Sequence, residues 1–331
     1  MAGYANIPTV TWTRRDILAA AALAAPASAQ VARPEPREWK PKLGVLGNYS
    51  EANLAFAKEE GFGSLALAAR PKSTLDPTLL TDEQIEKIKA DIRQAGLYAS
   101  VLGCTQNHIA PDPAIRARDN AYFVKVIETA GKLGVPFVQS ASGSIPGRPL
   151  AEQVDEVVRV YTEKYFPVCE KNRVRILWEP YPMGPNVATS PVGYDALFKA
   201  FGNSPYVGLQ IDPSHFVWQM MDPIQVTRDY VDRIHDVHLK DTEIRWPILR
   251  KGGINPVDGA RWWRYRLPGL GSIDWAAFFS VLMDARFAGA MNIEHEDPLY
   301  GSPNRGADFS DDFKTGFRMA HRYLRQYVPV A

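Results

Sequence analysis

From residue 42 to the end of the chain, short apolar runs alternate with longer helical patterns eight times over, and few folds accept that rhythm. "KLGVLG" (Lys42 to Gly47) is the first strand candidate, followed by the helix "SEANLAFAKEEG" with Ser50 placed to cap it. "GSLALAA" is the second strand, and "TDEQIEKIKADIRQAG" opens with a capping signal. "LYASVL" is the third, followed by a polar loop holding His108 and a helix from about Pro113 to Gly134. "VPFVQSA" is the fourth, with "LAEQVDEVVRVYTEKYFPVCEKN" behind it, and "VRILWE" is the fifth, with "SPVGYDALFKAFG". "VGLQID" and "DPIQVTRDYVDR" make the sixth unit. "IHDVHLKD" is the seventh strand, separated from "IDWAAFFSVLMDARFAG" by a long insertion, and "AMNIEHED" with "SDDFKTGFRMAHRYLRQYV" closes the chain.

Eight strand-then-helix units in residues 42–331 predict an α/β fold, a single (β/α)₈ barrel with a long insertion after strand seven. An open doubly wound sheet is the rival, but it calls for a glycine-rich turn after its first strand, and "LGNYSE" is not one.

In such a barrel the chemistry sits where strands end at the C-terminal face. Strand five ends in Glu179 ("LWEP"), six in Asp212 ("QIDPSH"), seven in His238 ("DVHLKD") and eight in Glu294 ("NIEHED"). A lone carboxylate at a strand end commonly serves as a salt-bridge partner. Three of them packed at one mouth without a counter-charge would repel and take up protons. A single divalent cation removes that penalty, and three carboxylates with one imidazole suit Mn²⁺ first, with Mg²⁺, Co²⁺ or Zn²⁺ as alternatives.

Taken in order, "WEP", "DPSH", "VHLKD", "PGLGSIDW" and "IEHED" resemble the xylose isomerase-like TIM-barrel superfamily, the sugar (and sugar phosphate) isomerases and epimerases. The resemblance spans nearly all of the chain after residue 41. It implies that Glu179, Asp212, His238 and Glu294 are metal ligands and that His215 touches the substrate. The "PGLGSIDW" stretch, Pro268 to Trp275, matches the loop leading into the last helix pair.

Around that core the sequence offers further candidates for contact with a carbohydrate. Lys240 follows His238 by two residues and so shares its strand face; it either meets substrate oxygen or neutralises Asp212. Trp178, Tyr181, His108 and Trp218 are candidate pocket walls. The insertion, Asp241 to about Gly271, carries Arg245, Trp246, Arg250, Arg261, Trp262, Trp263, Arg264 and Arg266. Planar aromatics stack on sugar C–H faces and guanidinium groups fork onto oxygens, so it reads either as a lid or as a loop packed on the barrel or a partner subunit. His295, Glu296 and Asp297 support a ligand or are solvated; His235, at the barrel's bottom, is structural.

This constellation permits proton abstraction next to a carbonyl, through an enediolate. Glu179 and Glu294 would flank the substrate as base and acid, with His215 bonding the oxygen that gains charge. Ketose epimerases of the family carry a second acid where this chain has Pro185, and an arginine where it has Ile244, with Arg245 adjacent. Those departures favour a second possibility, elimination of a leaving group from a 3-keto-glycoside. A third is a sugar-binding barrel without catalysis. Endonuclease IV shares the barrel but needs a histidine-rich zinc cluster, and six histidines are too few. The formal net charge of +1 supplies no field for a polyanion, so nucleic acid is not an expected partner.

The N-terminus predicts export. Arg14 and Arg15 precede "ILAAAALAAP", and "ASA" at Ala27 to Ala29 supplies small residues for cleavage. The adjacent arginines are similar to the twin-arginine type, which exports folded proteins and would place the enzyme in the periplasm or outside the cell. Residues 1–29 form the signal and 30–41 an extended lead-in, leaving no membrane anchor after cleavage; a homo-oligomer stays open. Cys104 and Cys169 make neither a disulfide framework nor a zinc knuckle and are expected as buried thiols.

Overall fold

The structure, a computed structural model, describes residues 39–301 and 307–328. The expected export signal lies outside the described residues, as does the lead-in up to residue 38; Trp39, where the description begins, donates its indole N–H to the Tyr327 carbonyl.

All eight expected barrel strands form. They are β1 (Lys42–Gly47), β2 (Ser64–Ala68), β3 (Tyr98–Gly103), β4 (Phe137–Ser140), β5 (Arg175–Trp178), β6 (Val207–Ile211), β7 (Ile234–Leu239) and β10 (Ala290–Ile293). Each pairs in parallel with its neighbours, and β1 pairs with both β2 and β10, which closes the sheet. The insertion contributes the remaining two strands, β8 (Asp241–Ile244) and β9 (Trp263–Arg266), as an antiparallel pair outside the barrel, joined through a short helix at Trp246–Gly252. This internal pairing was not visible in the sequence, because both strands are short and polar-rich.

The helices start and stop where their termini require. Thr81 and Gln84 form a reciprocal capping box, and Gly96 and Gly134 end their helices in the left-handed conformation. The helix after β4 runs Leu150–Val160, passes through a π-helical turn at Tyr161–Tyr165 and resumes at Phe166–Asn172. An added helix, Pro213–Trp218, follows β6 directly, in a stretch to which the sequence reading assigns no element.

Outside the barrel wall the packing is apolar and aromatic, including Trp178, Phe198 and Phe201. Inside, it is not. Gln210 donates to Asp236 at 2.8 Å, Asn292 donates to Ser100 at 3.0 Å and to Asp236, and Ser64 donates to Asn292 at 2.9 Å. This polar floor reaches across β2, β3, β6, β7 and β10. Gly44 makes room for it, since a Cβ there would strike Ser64 and Asn292. Burial pushes the Asp236 carboxyl up to about 6 despite its hydrogen bonds.

His108 sits in a second buried network. Tyr165 donates to Asn120, so its oxygen accepts from His108 Nδ1 at 2.8 Å, and His108 Nε2 in turn accepts from Ser140 Oγ at 2.8 Å. Burial lowers the pKa of this imidazole to about 3. Below the ordinary value of 6.5 the unfolded chain therefore binds a proton that the folded chain refuses. Stability is expected to be complete above that pH and to fall by roughly 1.4 kcal/mol per pH unit on His108's account as pH drops from 6.5 towards 3. Urea unfolding between pH 7 and 5 measures the slope, and His108→Gln removes this residue's share; an unchanged slope in the variant would contradict the assignment.

Candidate metal centre

Two residues of strand period separate the floor from the site above it. Gln210, Asp236 and Asn292 are each followed, two positions on, by Asp212, His238 and Glu294, so the same inward face that builds the floor presents the ligands. Glu179 stands just past β5, where its backbone N–H still reaches the Ser140 carbonyl at 3.4 Å. Glu294 likewise bonds back to Leu239 at 3.3 Å. Both acids are held by the last hydrogen bonds of the barrel wall.

The four side chains meet. One ligand atom from each of Glu179, Asp212, His238 and Glu294 lies within 4.8 Å of the other three. His238 Nδ1 is 2.9 Å from Glu179 Oε1 and 3.1 Å from Glu294 Oε2. Two ligands about 2.1 Å from a common cation and at right angles to it stand about 3 Å apart, so the spacing fits a small divalent ion. Asp212 supports the same reading. Its Oδ1 caps the helix Pro213–Trp218 by accepting from Ser214 at 2.9 Å, while buried Oδ2, ion-paired with Lys240 at 3.0 Å, is turned into the cluster. That helix also turns His215 inward, with Nε2 at 3.2 Å from Asp212 Oδ2 and 3.7 Å from Glu179 Oε1.

Lys240 lies among the ligands rather than free for substrate. Its ammonium, fully buried, is 2.7 Å from Glu294 Oε2, 2.9 Å from Glu296 and 3.0 Å from Asp212 Oδ2. A carboxylate oxygen has two lone pairs, so it can face Lys240 and a cation together. Gln139, at the end of β4, donates to Glu179 Oε2 at 2.8 Å and fixes which oxygen faces the cluster. A polar residue at a strand end was the available signal for Gln139.

Charge in the metal-free cluster is partly offset by Lys240 and His238. Burial and the neighbouring Glu294 push the Glu179 carboxyl up, but His238 and His215 outweigh them and hold it at about 2. Burial likewise opposes ionisation of Glu294, yet Lys240 and His238 keep it well below the usual carboxylate range. Burial also opposes a charge on His238, but Glu294 and Glu179 raise its pKa well above the ordinary value. The metal-free protein therefore carries a proton where a cation needs a lone pair. Loading is expected to release close to one proton at neutral pH, and the apparent affinity is expected to weaken about tenfold per pH unit as pH is lowered. Calorimetric titration with Mn²⁺ in buffers of different ionisation enthalpy counts the proton; a count of zero would show that His238 does not carry the extra proton before loading.

The cavity above the cluster is open to solvent, with Asn48, Arg70, Thr105, Gln139, Glu296 and Phe309 on its walls. Four expected substrate contacts are not brought to it. His108 is committed to Tyr165 and Ser140, as described above. Trp178 faces the outer aromatic layer, and its indole N–H donates to Tyr161 at 3.1 Å. Arg245 donates to the Arg261 carbonyl at 3.2 Å, and Trp246, 49% exposed, lies beneath Arg250. Neighbouring Ile244 is buried in the insertion's own apolar cluster with Trp262 and Trp263.

The charged tail of β10 divides by alternation. Glu294 and Glu296 turn to Lys240. His295 stacks on Phe313 at 4.1 Å and donates to the Tyr300 carbonyl, while Asp297 accepts from Arg266 at 2.7 Å and ties down the insertion. Asp241, which the sequence did not single out, organises the "PGLGSIDW" loop: it accepts from the backbone of Gly269 and Ile273 and from the Trp275 indole. Gly271 packs against that carboxylate too closely for any side chain.

A family profile of xylose isomerase-like TIM barrels matches residues 54–322. The chain belongs to that family. Among its relatives, an uncharacterised Bacillus subtilis (strain 168) protein, YfiH, is 28% identical over 293 residues, covering 77% of this chain and 91% of that one. An inosose dehydratase of Clostridium botulinum (strain Eklund 17B / Type B) is 36% identical over 101 residues, which is 29% of this chain and 33% of the relative. The Escherichia coli 3-keto-D-glucoside 4-epimerase YcjR matches in structure with a TM-score of 0.64 at 17% identity, covering 87% of this chain and all of that one. An L-ribulose 3-epimerase matches with a TM-score of 0.66 at 17% identity, covering 87% and 94%. At that identity the structural likeness establishes the shared fold. Among the described residues no helix is long and apolar enough to cross a membrane.

Proposed function

We propose that this protein is a divalent-metal-dependent sugar isomerase or epimerase that moves a proton on carbon next to a carbonyl. The observation that carries the reading is the convergence of Glu179, Asp212, His238 and Glu294 within 4.8 Å at the barrel mouth. These four would hold the cation, Mn²⁺ by preference, which when bound would stabilise negative charge on adjacent carbonyl and hydroxyl oxygens.

The protein's own groups do the rest. In the order β10, β7, β6, β5 the two glutamates stand at the ends of a four-strand arc, so they approach a substrate from opposite sides. One takes the proton from carbon and the other returns one, which inverts a centre or relocates the carbonyl. His215, whose Nε2 is buried beside Asp212 and Glu179, would bond the oxygen that gains charge.

A second reading, elimination from a 3-keto-glycoside, begins with the same proton abstraction. It is favoured by two observations: relatives that include an inosose dehydratase and a 3-keto-D-glucoside epimerase, and the burial of Ile244 and diversion of Arg245 where ketose epimerases supply an arginine. The N-terminal arginine pair and apolar run place the enzyme outside the cytoplasm in this proposal, where glycosides are available.

The deciding experiment is a screen of keto-sugars and 3-keto-glycosides in D₂O with Mn²⁺, followed by NMR. An epimerase inverts a labelled centre, an eliminase frees the aglycone, and a mere binder leaves every C–H unlabelled. The last outcome would overturn both catalytic readings.

A further inference from the structure

We infer that Tyr265, delivered by the insertion, is a positioning residue that locks His215 in the tautomer with its proton on Nε2, facing Asp212 and Glu179 of the cluster. The catalytic consequence rests on the proton-transfer reading above; the tautomer itself does not.

Nε2 of His215 faces two carboxylates, Asp212 Oδ2 at 3.2 Å and Glu179 Oε1 at 3.7 Å. Ionised carboxylates only accept, so of the two neutral tautomers the one with its proton on Nε2 is favoured there. That leaves a lone pair on Nδ1, and the Tyr265 hydroxyl lies 2.9 Å from it. Tyr265 therefore donates, and the other tautomer would lose this bond while turning a lone pair toward the acids. Nε2 is buried and lies close to both carboxylates without a well-aligned hydrogen bond to either.

Tyr265 is itself fixed. It pairs with Thr242 in the β8–β9 sheet, and Thr242 Oγ1 donates at 2.9 Å to the Ser214 carbonyl, one residue from His215. The Lys240 ammonium sits 4.3 Å over the phenol ring, and Trp263 packs against it at 5.0 Å. On the other side Tyr181 meets His215 edge-on at 5.5 Å. The insertion thus holds His215 from its Nδ1 side.

The test is ¹⁵N NMR of full-length protein labelled at histidine, metal-free and loaded with Mg²⁺, which does not broaden signals. His215→Gln identifies the His215 resonances by their disappearance. The expected spectrum has Nδ1 in the range of an unprotonated, hydrogen-bonded nitrogen and Nε2 in the protonated range. Tyr265→Phe keeps the ring beneath Lys240 but removes the hydroxyl; both resonances should move toward each other as tautomers mix. The same variant should lower kcat for deuterium exchange about 10- to 100-fold with little change in KM. A wild-type His215 protonated on Nδ1, or a Tyr265→Phe spectrum identical to wild type, would overturn the inference. Because the spectra need no substrate, absence of any exchange activity would remove the proton-transfer reading and leave the tautomer assignment standing.

Discussion

Glu294→Gln should abolish deuterium incorporation into the substrate, by at least about 10³-fold, in a protein that stays folded. The substitution preserves shape, and the remaining amide oxygen can still accept from Lys240, which now contacts Glu294 Oε2 at 2.7 Å. Two functions are removed together: one of three anionic ligands and one of the two acid–base groups. Raising Mn²⁺ separates them. Weakened binding is overcome by mass action, and equilibrium dialysis should show the site refilling at high metal concentration. A missing base is not restored by more metal, so exchange should stay absent. Asp212→Asn is the control, because Asp212 is a ligand without a proton-transfer role in the proposed mechanism. Its exchange should recover as metal is added. Undiminished exchange in Glu294→Gln would remove Glu294 from the chemistry, and recovery at high Mn²⁺ would reduce it to a ligand alone.

That so much of this site can be argued from single residues follows from how a barrel is built. Strand ends are marked in sequence by the change from apolar to polar, and a parallel barrel sends all such ends to one face. Glu179, Asp212, His238 and Glu294 could be found that way, and the structure brings their ligand atoms together. The rule fails for residues whose side chains are claimed by something else nearby. His108 follows β3 in a polar loop, but the π-helical turn at Tyr161–Tyr165 delivers a phenol that takes its Nδ1. Trp178 immediately precedes Glu179, so strand alternation turns it to the outer layer. Alternation alone would have shown this. The insertion was the least legible part. Its arginines and tryptophans suggest a sugar lid, yet Arg261 stacks on Trp263 at 3.9 Å and Trp218 on Trp263 at 4.4 Å, an internal use of the same groups. Tyr265 reaches His215 from 50 residues away along the chain, a pairing with no local sequence signal.

Lys240→Met should convert the fold into one that depends on metal. The wild-type ammonium is buried and balances Asp212, Glu294 and Glu296 at 3.0, 2.7 and 2.9 Å. Burial works against its charge, but those three acids outweigh it and raise its pKa well above the ordinary lysine value, so the group is a fixed cation across the working range. Methionine fills similar volume without charge. Asp212 would then lose its cation and Glu294 would keep only His238, whereas Glu296, at 33% side-chain exposure, can turn to solvent. Breaking a buried pair this way costs roughly 3–5 kcal/mol, which for a domain of this size lowers Tm by roughly 6–10 °C. A divalent cation meets the same two ligand acids from the other side. Mn²⁺ at a hundred times its Kd returns about 2.7 kcal/mol, and it should bind the variant more tightly than wild type because a neighbouring positive charge has gone. The expected result is a large Tm loss in EDTA that Mn²⁺ mostly reverses, against a smaller Mn²⁺ shift in wild type. Equal Mn²⁺ shifts in the two proteins would mean that Lys240 and the metal do not share Asp212 and Glu294, and the proposed centre would then have to be placed elsewhere.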